Sequence, residues 1–140
     1  MTTNVHLLRA PHLAEVQYAY GASVPASARL IFLAGACPLD ADGVVVAPGD
    51  IVGQTERCLD NLVEALAVAG ATLTDVVATR VLVASSNRAD LSIAWDVYRA
   101  RFGDHDVPST LIGVAALGYE NQLVEIEATA AIEGGVTRGA

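Results

Sequence analysis

The segment 122–132, QLVEIEATAAI, constrains the fold most because hydrophobic and polar positions alternate along it. Successive side chains of a β-strand point to opposite faces of its sheet. One face of the predicted strand is apolar and is expected to face the core: Val124, Ile126, Ala128, Ala130 and Ile132. The opposite face carries the other set: Leu123, Glu125, Glu127, Thr129 and Ala131. The chain therefore needs a core on one side of a sheet and a different environment on the other.

Two segments have the spacing of amphipathic helices. Between Asp50 and Ala69, apolar residues recur at steps of three and four, which places them on one stripe. Asp50 is a favourable N-cap, and Gly70 can end the helix in a left-handed conformation. A second helix is predicted over residues 87–103, with Asn87 as its N-cap. Its apolar stripe contains four residues: Leu91, Trp95, Tyr98 and Phe102.

Two further strands are predicted around the first helix. Residues 28–40 form a strand entering a turn, and the continuous apolar run from Leu30 to Ala34 predicts burial on both faces. Residues 41–44 read as a turn with Gly43 at a positive φ. The β-branched residues of 75–84 indicate the next strand.

The chain ends in two more predicted strands, 109–117 and 122–132, joined as a hairpin by the turn GYEN. The resulting order is strand, strand, helix, strand, helix, strand, strand. This order indicates an α+β fold, a mixed α/β arrangement in which two helices cover one face of a single mixed sheet. A length of 140 residues predicts one domain over residues 1–140. Because 53% of the residues are hydrophobic, we expect the second sheet face to be buried in a homo-oligomer.

The charge and cysteine content argue against several classes of function. A net charge of −8 is unfavourable for binding nucleic acid or an anionic membrane surface. No apolar run reaches the roughly 20 residues of a membrane helix, and the N-terminus lacks the pattern of a signal peptide. Two widely spaced cysteines, Cys37 and Cys58, fit neither a zinc site nor a disulfide framework. We therefore expect a cytoplasmic protein without metal or cofactor, whose partner is a small-molecule ligand.

The charged residues within strands are the first candidates for a site. A carboxylate such as Glu125 or Glu127 on the second sheet face is paired with a cation, bonded to backbone, or held for proton transfer. The spacing alone favours a structural carboxylate at a subunit interface. Arg80, in the middle of a valine-rich strand, needs a partner. It can pair with either glutamate, or it can reach a cleft and bind a substrate carboxylate.

Three other positions allow two interpretations each. Cys37 beside a turn either lines a pocket or packs as a small hydrophobic residue. His105, just before the strand at 109, is either a general base or a surface residue. Tyr119 and Glu120 in the predicted hairpin turn either reach a neighbouring subunit or are exposed to solvent.

In its order of motifs, the chain resembles the Rid family, also called RidA or YjgF. The matching pieces include YGASV at residues 20–24, FLAGACPLD at 32–40, the two helices, and Pro108 followed by VEIEATA at 124–130. The resemblance covers nearly the whole chain. It implies a chorismate-mutase-like homotrimer that hydrolyses reactive enamines and imines, as a deaminase, in clefts between subunits. Residue by residue, it implies that Glu125 handles the attacking water and that the pocket is lined by others: Tyr20, Gly35, Ala36, Cys37 and the backbone of Ile112.

One position departs from the family pattern. The resemblance implies an arginine two residues after Pro108, which binds the substrate carboxylate, but this chain has Thr110. A guanidinium binds a carboxylate through two parallel charge-assisted bonds, whereas a hydroxyl gives one neutral bond. A hydrogen bond to a charged group contributes about 1.5–3 kcal/mol. The change therefore predicts a loss of about ten- to a hundredfold toward 2-imino acids unless Arg80 takes over.

These observations support two main hypotheses. The first is a Rid-like enzyme that acts on a small reactive metabolite, with Glu125 as the catalytic group and Thr110 or Arg80 in substrate binding. The second is a non-catalytic trimer that binds a small metabolite. The net charge disfavours an RNA-cleaving protein, and the small number of cations disfavours mutase chemistry on a dianion.

Overall fold

The computed structural model describes residues 4–134, so the two ends of the predicted domain, 1–3 and 135–140, lie outside the described residues. A four-stranded mixed sheet is covered on one face by two helices, as the α+β prediction requires. The elements in chain order are β1 (His6–Leu8), β2 (Gly21–Ser23), β3 (Arg29–Phe32), α1 (Ile51–Val68), β4 (Val76–Val83), α2 (Arg88–Phe102), β5 (Ser109–Gly113) and β6 (Val124–Ile132). Strands β1 and β2 form a small separate antiparallel sheet, which the sequence analysis did not predict.

Both helices begin and end where local sequence chemistry predicts. The side chain of Asp50 accepts a hydrogen bond from the backbone N–H of Gly53, and that of Asn87 from Ala89. After α1, Gly70 has a φ of 78°, and Gly103 ends α2 with a φ of 60°. Gly43 likewise has a φ of 79°, as predicted for its turn. The capping side chains bond the first N–H groups of each helix, which lack partners within the helix.

The predicted hairpin between the last two strands is wrong. The strand order is β3-β6-β4-β5, so β4 separates β5 from β6. Strand β5 is parallel to β4, and β6 runs antiparallel to both β3 and β4. Helix α2 connects β4 to β5 as a crossover, which allows a parallel pairing that a short turn cannot make. Strand β6 then inserts between β3 and β4, where both of its edges are paired.

The prediction that β3 is buried on both faces is also wrong for the single chain. Leu30 is 45% exposed and Phe32 is 76% exposed, whereas Ile31 packs against the core. The helices cover one face of the sheet, and β3 lies at its edge. The continuous apolar run of this strand therefore places large hydrophobic side chains on the sheet face opposite the helices.

The core lies between the helices and the sheet, and it confirms the two faces predicted for β6 as far as Ala130. Beyond that residue, Ala131 of the opposite face is fully buried, and Ile132, which packs against the core, is only half-buried. Val124, Ile126 and Ala130 are fully buried, and Ala128 is almost fully buried. They belong to one cluster with the apolar stripe of α1: Cys58, Leu59, Leu62 and Leu66. From the stripe of α2, Tyr98 and Phe102 are buried and Leu91 and Trp95 are half-buried.

Candidate functional site

The face of the sheet opposite the helices, which we call the open face, carries two rows of predicted site residues. Strand pairing places Thr110 of β5 beside Arg80 of β4, and Arg80 beside Glu127 of β6. The next row contains Ile112, Leu82 and Glu125 in the same strand order. Paired residues of neighbouring strands point to the same face of the sheet. The open face thus has one charged row and one row that ends at Glu125.

Arg80 pairs with Glu127, one of the alternatives that its mid-strand position left open. The guanidinium Nε lies 2.6 Å from the Glu127 Oε1. The hydrogen bond and charge of Glu127 raise the pKa of Arg80, so the guanidinium stays charged. In this structure the guanidinium is therefore held by a carboxylate of its own chain.

Two side chains hold the carboxylate of Glu125, and both bond the same oxygen. The Gln122 amide donates to Oε1 at 3.1 Å, and the Cys37 thiol donates to Oε1 at 3.3 Å. Within residues 4–134, Oε2 receives no side-chain or backbone hydrogen bond. The carboxylate is thus oriented through one oxygen, while the other is available to a water molecule or ligand.

Gly35 makes room for that second oxygen. A Cβ built on Gly35 would lie only 2.1 Å from Glu125 Oε2. The next residue, Ala36, forms a β-bridge with Ile126, with N–O distances of 2.7 and 3.0 Å. This bridge holds the turn after β3 against β6. The structure therefore brings the predicted Gly35, Ala36 and Cys37 together around Glu125.

The environment of Cys37 explains why its thiol acts as a donor. Partial burial, together with the hydrogen bond to the Glu125 carboxylate and its charge, raises the pKa of Cys37 to about 11. The thiol is therefore protonated at neutral pH and is a poor nucleophile. Its backbone carbonyl accepts a hydrogen bond from the Asn61 side chain of α1 at 2.9 Å, which anchors the turn to the helix.

Sequence reasoning missed Gln122, the strongest support of Glu125. Its side chain is only 4% exposed and also bonds the Val124 carbonyl and the Tyr119 N–H. The buried amide of Gln54 holds the same loop, because it donates to the Asn121 carbonyl and accepts from the Leu123 N–H. A glutamine two residues before a strand carries no distinctive sequence signal. Its role becomes visible only when the loop is folded.

Two other predicted site residues lie apart from Glu125. Thr110 shares the open face with Glu125 but is two strands away, a separation of roughly 10 Å. Tyr20 donates a hydrogen bond to the Ala14 carbonyl and lines a cavity of about 470 Å³ with the ion pair of Arg9 and Asp106. In the single chain, the residues around Glu125 and those around Thr110 therefore form two separate groups.

The remaining candidates have structural contacts. The His105 Nε2 lies 2.8 Å from the Val76 carbonyl, and its ring stacks on Phe102. Tyr119 is half exposed in the loop that Gln122 holds. Within the described residues, no group of three or more histidine, cysteine or acidic side chains could hold a metal ion. No helix in the same part of the chain is long and apolar enough to cross a membrane.

The comparison with protein families decides the classification. The model of the family described as Endoribonuclease L-PSP matches residues 9–132. The chain belongs to this family, known also as the Rid or YjgF family. A crystal structure of YyfB from Yersinia pestis, a protein of unknown function of the Rid family, is similar with a TM-score of 0.81 and 30% identity. The similarity covers 93% of this chain and 100% of that one.

Other Rid relatives have names that differ in how much they say of function. A RutC family protein of Pyrococcus abyssi is 35% identical over 100 residues, which cover 71% of this chain and 76% of the relative. A protein of Capra hircus named 2-iminobutanoate/2-iminopropanoate deaminase is 35% identical over 109 residues, or 78% of this chain and 77% of the relative. Membership of the family and relatives with a deaminase name support imine-related chemistry in general.

Proposed function

We propose that this Rid protein, as one domain over residues 1–140, hydrolyses a small imine or enamine with release of ammonia, or carries out related carbonyl chemistry. The observation that carries the proposal is the arrangement of Glu125. Its Oε1 is held by Gln122 and Cys37, and its Oε2 lies over Gly35 with no hydrogen bond from the described residues. A carboxylate held in this way is suited to orient and deprotonate one water molecule.

In the proposed reaction, Glu125 Oε2 accepts a proton from water while the water oxygen bonds to the imine carbon. The electrons of the C=N double bond move to nitrogen, which takes up a proton. Glu125 passes both protons to nitrogen, first the one taken from water and then the hydroxyl proton of the carbinolamine, so the C–N bond breaks as the C=O bond forms. Ammonia leaves, and a carbonyl compound remains. An enamine enters the same sequence after it tautomerises to the imine.

The proposed active unit is a homotrimer, in which a neighbouring subunit completes each cleft. Two features of the single chain support this. The exposed Leu30 and Phe32 leave large apolar side chains on the open face, which is typical of a protein interface. The groups around Glu125 and Thr110 are also apart within one chain. In the proposal, Glu125 of one subunit faces a substrate-binding group of the next that includes Thr110, Tyr20 and the backbone of Ile112.

A second candidate function is a non-catalytic trimer that binds a small metabolite in the same cleft. Thr110 in place of the expected arginine favours it, and so does the pairing of Arg80 with Glu127. Neither side chain offers an unpaired guanidinium to a substrate carboxylate. This alternative predicts ligand binding without release of ammonia.

The deciding experiment measures ammonia release from freshly generated 2-iminobutanoate and 2-iminopropanoate. Wild type is compared with Glu125→Gln, which keeps the side-chain shape, and with Glu133→Gln as a control at an exposed position just beyond β6. We expect activity in wild type and in Glu133→Gln, and a loss of about a hundredfold or more in Glu125→Gln. Equal rates in wild type and Glu125→Gln contradict the proposal. Binding without turnover in wild type supports the alternative.

A further inference from the structure

A concave site lies along the outer edge of β5, at the Thr110 end of the proposed cleft. It is a cavity of about 740 Å³ between this strand, α2 and the segment 15–18. Its volume lies in the range of small-molecule sites, about 300–1,000 Å³. We call it the edge cavity, and its lining includes Glu15, Gln17, Tyr18, Trp95, Ser109 and Thr110.

Two aromatic rings form a rigid corner of the edge cavity. Tyr18 and Trp95 meet edge to face, with ring centroids 6.2 Å apart and an interplanar angle of 87°. The indole N–H of Trp95 donates to Gln17 Oε1 at 2.8 Å, which fixes the orientation of the ring. Trp95 also packs against the buried ring of Tyr98. The faces of such rings attract cations, and tryptophan does so most strongly.

Among the described residues that line the edge cavity, the one charged side chain is that of Glu15. Glu15 is exposed and forms no ion pair with any described residue. Two arginines near the edge cavity have acidic partners of their own: Arg9 pairs with Asp106, and Arg80, beside Thr110, pairs with Glu127. A third, Arg99, lines an adjoining cavity with Gln17 and Ser109 and forms no ion pair with any described residue. None of the three arginines lines the edge cavity. A ligand there meets one carboxylate without an ion-pair partner and two aromatic side chains, those of Tyr18 and Trp95.

Hydroxyl groups line the side of the cavity formed by β5. Ser109 is held in a buried network, because its hydroxyl lies 2.7 Å from the Tyr98 hydroxyl and 3.0 Å from that of Thr79. Thr110 follows at the exposed position where the family resemblance leads one to expect an arginine. A threonine adds no positive charge to this wall. An arginine at position 110 would attract a carboxylate to the β5 side of the cavity, whereas Thr110 leaves that side neutral.

We propose that the edge cavity binds a small organic cation, namely a primary ammonium on an aromatic or apolar body. The ammonium pairs with Glu15 next to the Tyr18 and Trp95 faces, and the apolar body packs along β5. This ligand has the opposite charge to a 2-imino acid carboxylate. The binding site follows from these side chains alone. Its connection to chemistry at Glu125, through the shared Thr110, rests on the proposed function.

The test uses Trp95, the only tryptophan of the chain, as a reporter inside the cavity. Its fluorescence, excited at about 295 nm, and calorimetry follow titrations of the full-length protein with three probes of similar shape. The probes are 2-phenylethylammonium, neutral 2-phenylethanol and anionic 3-phenylpropanoate. We expect the ammonium to bind about fivefold or more tightly than the alcohol, from the ion pair and the aromatic faces together. We expect the carboxylate to bind most weakly, and added salt to reduce the preference.

The variant Glu15→Gln removes the charge and keeps the shape of the side chain. It should lower the ammonium affinity about two- to fivefold and leave the alcohol affinity unchanged. Glu64→Gln is the matched control, because Glu64 is exposed on α1 and does not line the cavity. Thermal unfolding checks that both variants are folded. Three results overturn the proposal: 3-phenylpropanoate binds as tightly as the ammonium, Glu15→Gln keeps the full preference, or neither method detects binding of any probe.

The binding experiment needs no turnover, so its outcome is separate from that of the ammonia assay. Cation binding without ammonia release contradicts only the proposed hydrolysis. Hydrolysis of 2-imino acids without cation binding contradicts only the assignment of the edge cavity.

Discussion

The two ends of the proposed cleft differ in how firmly their side chains are held. Glu125 is fixed by a thiol, by a buried amide and by a turn that is bridged to its own strand. Thr110 is an exposed residue of an edge strand beside an open cavity whose carboxylate, Glu15, has no ion-pair partner. The group proposed for chemistry is thus preorganised, and the region proposed for recognition is open. A chain of this family can therefore keep the preorganised Glu125 while the region around Thr110 changes the ligand that it accepts.

The largest effect is expected for Gly35→Ala, which acts on the firmly held carboxylate. The new methyl group overlaps Glu125 Oε2, the end of a flexible side chain, so the carboxylate is expected to rotate away while the fold stays intact. Ammonia release should fall about a hundredfold, as for loss of a general base. Gly118→Ala is the control, since nothing lies within 4 Å of its added Cβ. Full activity in Gly35→Ala, with an unchanged thermal midpoint, contradicts the role of Oε2.

Thr110→Arg tests the open end of the cleft. A guanidinium can bind a carboxylate in two parallel bonds, so kcat/KM for 2-iminobutanoate should rise about ten- to a hundredfold. Thr110→Lys is the comparison, because an ammonium lacks the planar fork and should give a smaller gain. If neither variant changes kcat/KM, Thr110 does not contact the substrate carboxylate.

The contact between Cys37 and Glu125 can be measured through thiol reactivity. The pKa of Cys37 is raised to about 11 by burial and by Glu125, so its thiolate is scarce at pH 8. Glu125→Gln removes the negative charge, which lowers this pKa and should speed alkylation by iodoacetamide by up to about tenfold. Mass spectrometry distinguishes the Cys37 adduct from one on the fully buried Cys58. A slower or unchanged rate in Glu125→Gln shows that the carboxylate does not suppress the thiolate.

The smallest expected effect is a loss of stability at high pH. In the unfolded chain the Cys37 thiol loses its proton near its ordinary pKa of 9.0, whereas in the folded chain it keeps the proton up to about pH 11. Between these values the native state binds more protons than the unfolded state, so the free energy of unfolding falls as the pH rises. Cys37→Ser lacks this titration. Its urea midpoint should decline less than that of wild type between pH 8.5 and about 10.5.

Local chemistry in the sequence was sufficient for the helices and for the two faces of β6. Asp50 and Asn87 can bond the first N–H groups of a helix, and Gly70 adopts the left-handed conformation that ends one, whatever surrounds them. The alternation from Val124 to Ala130 likewise predicted which residues are buried, because it depends only on the geometry of one strand. These features involve neighbours in the sequence, and the structure confirms them.

The pairing of the strands and the contacts at Glu125 depend on the tertiary structure. The hairpin prediction was wrong because β6 pairs with the distant β3 and β4 rather than with β5. Gln122 was overlooked because its role depends on the loop held by Gln54, 68 positions earlier in the chain. Gly35 and Cys37 reach Glu125 only through the bridge between Ala36 and Ile126. The helices and strands and the inner face of β6 follow from local backbone and capping energetics, so they could be predicted from the sequence. The site depends on contacts between distant residues, whose geometry exists only once the sheet has formed.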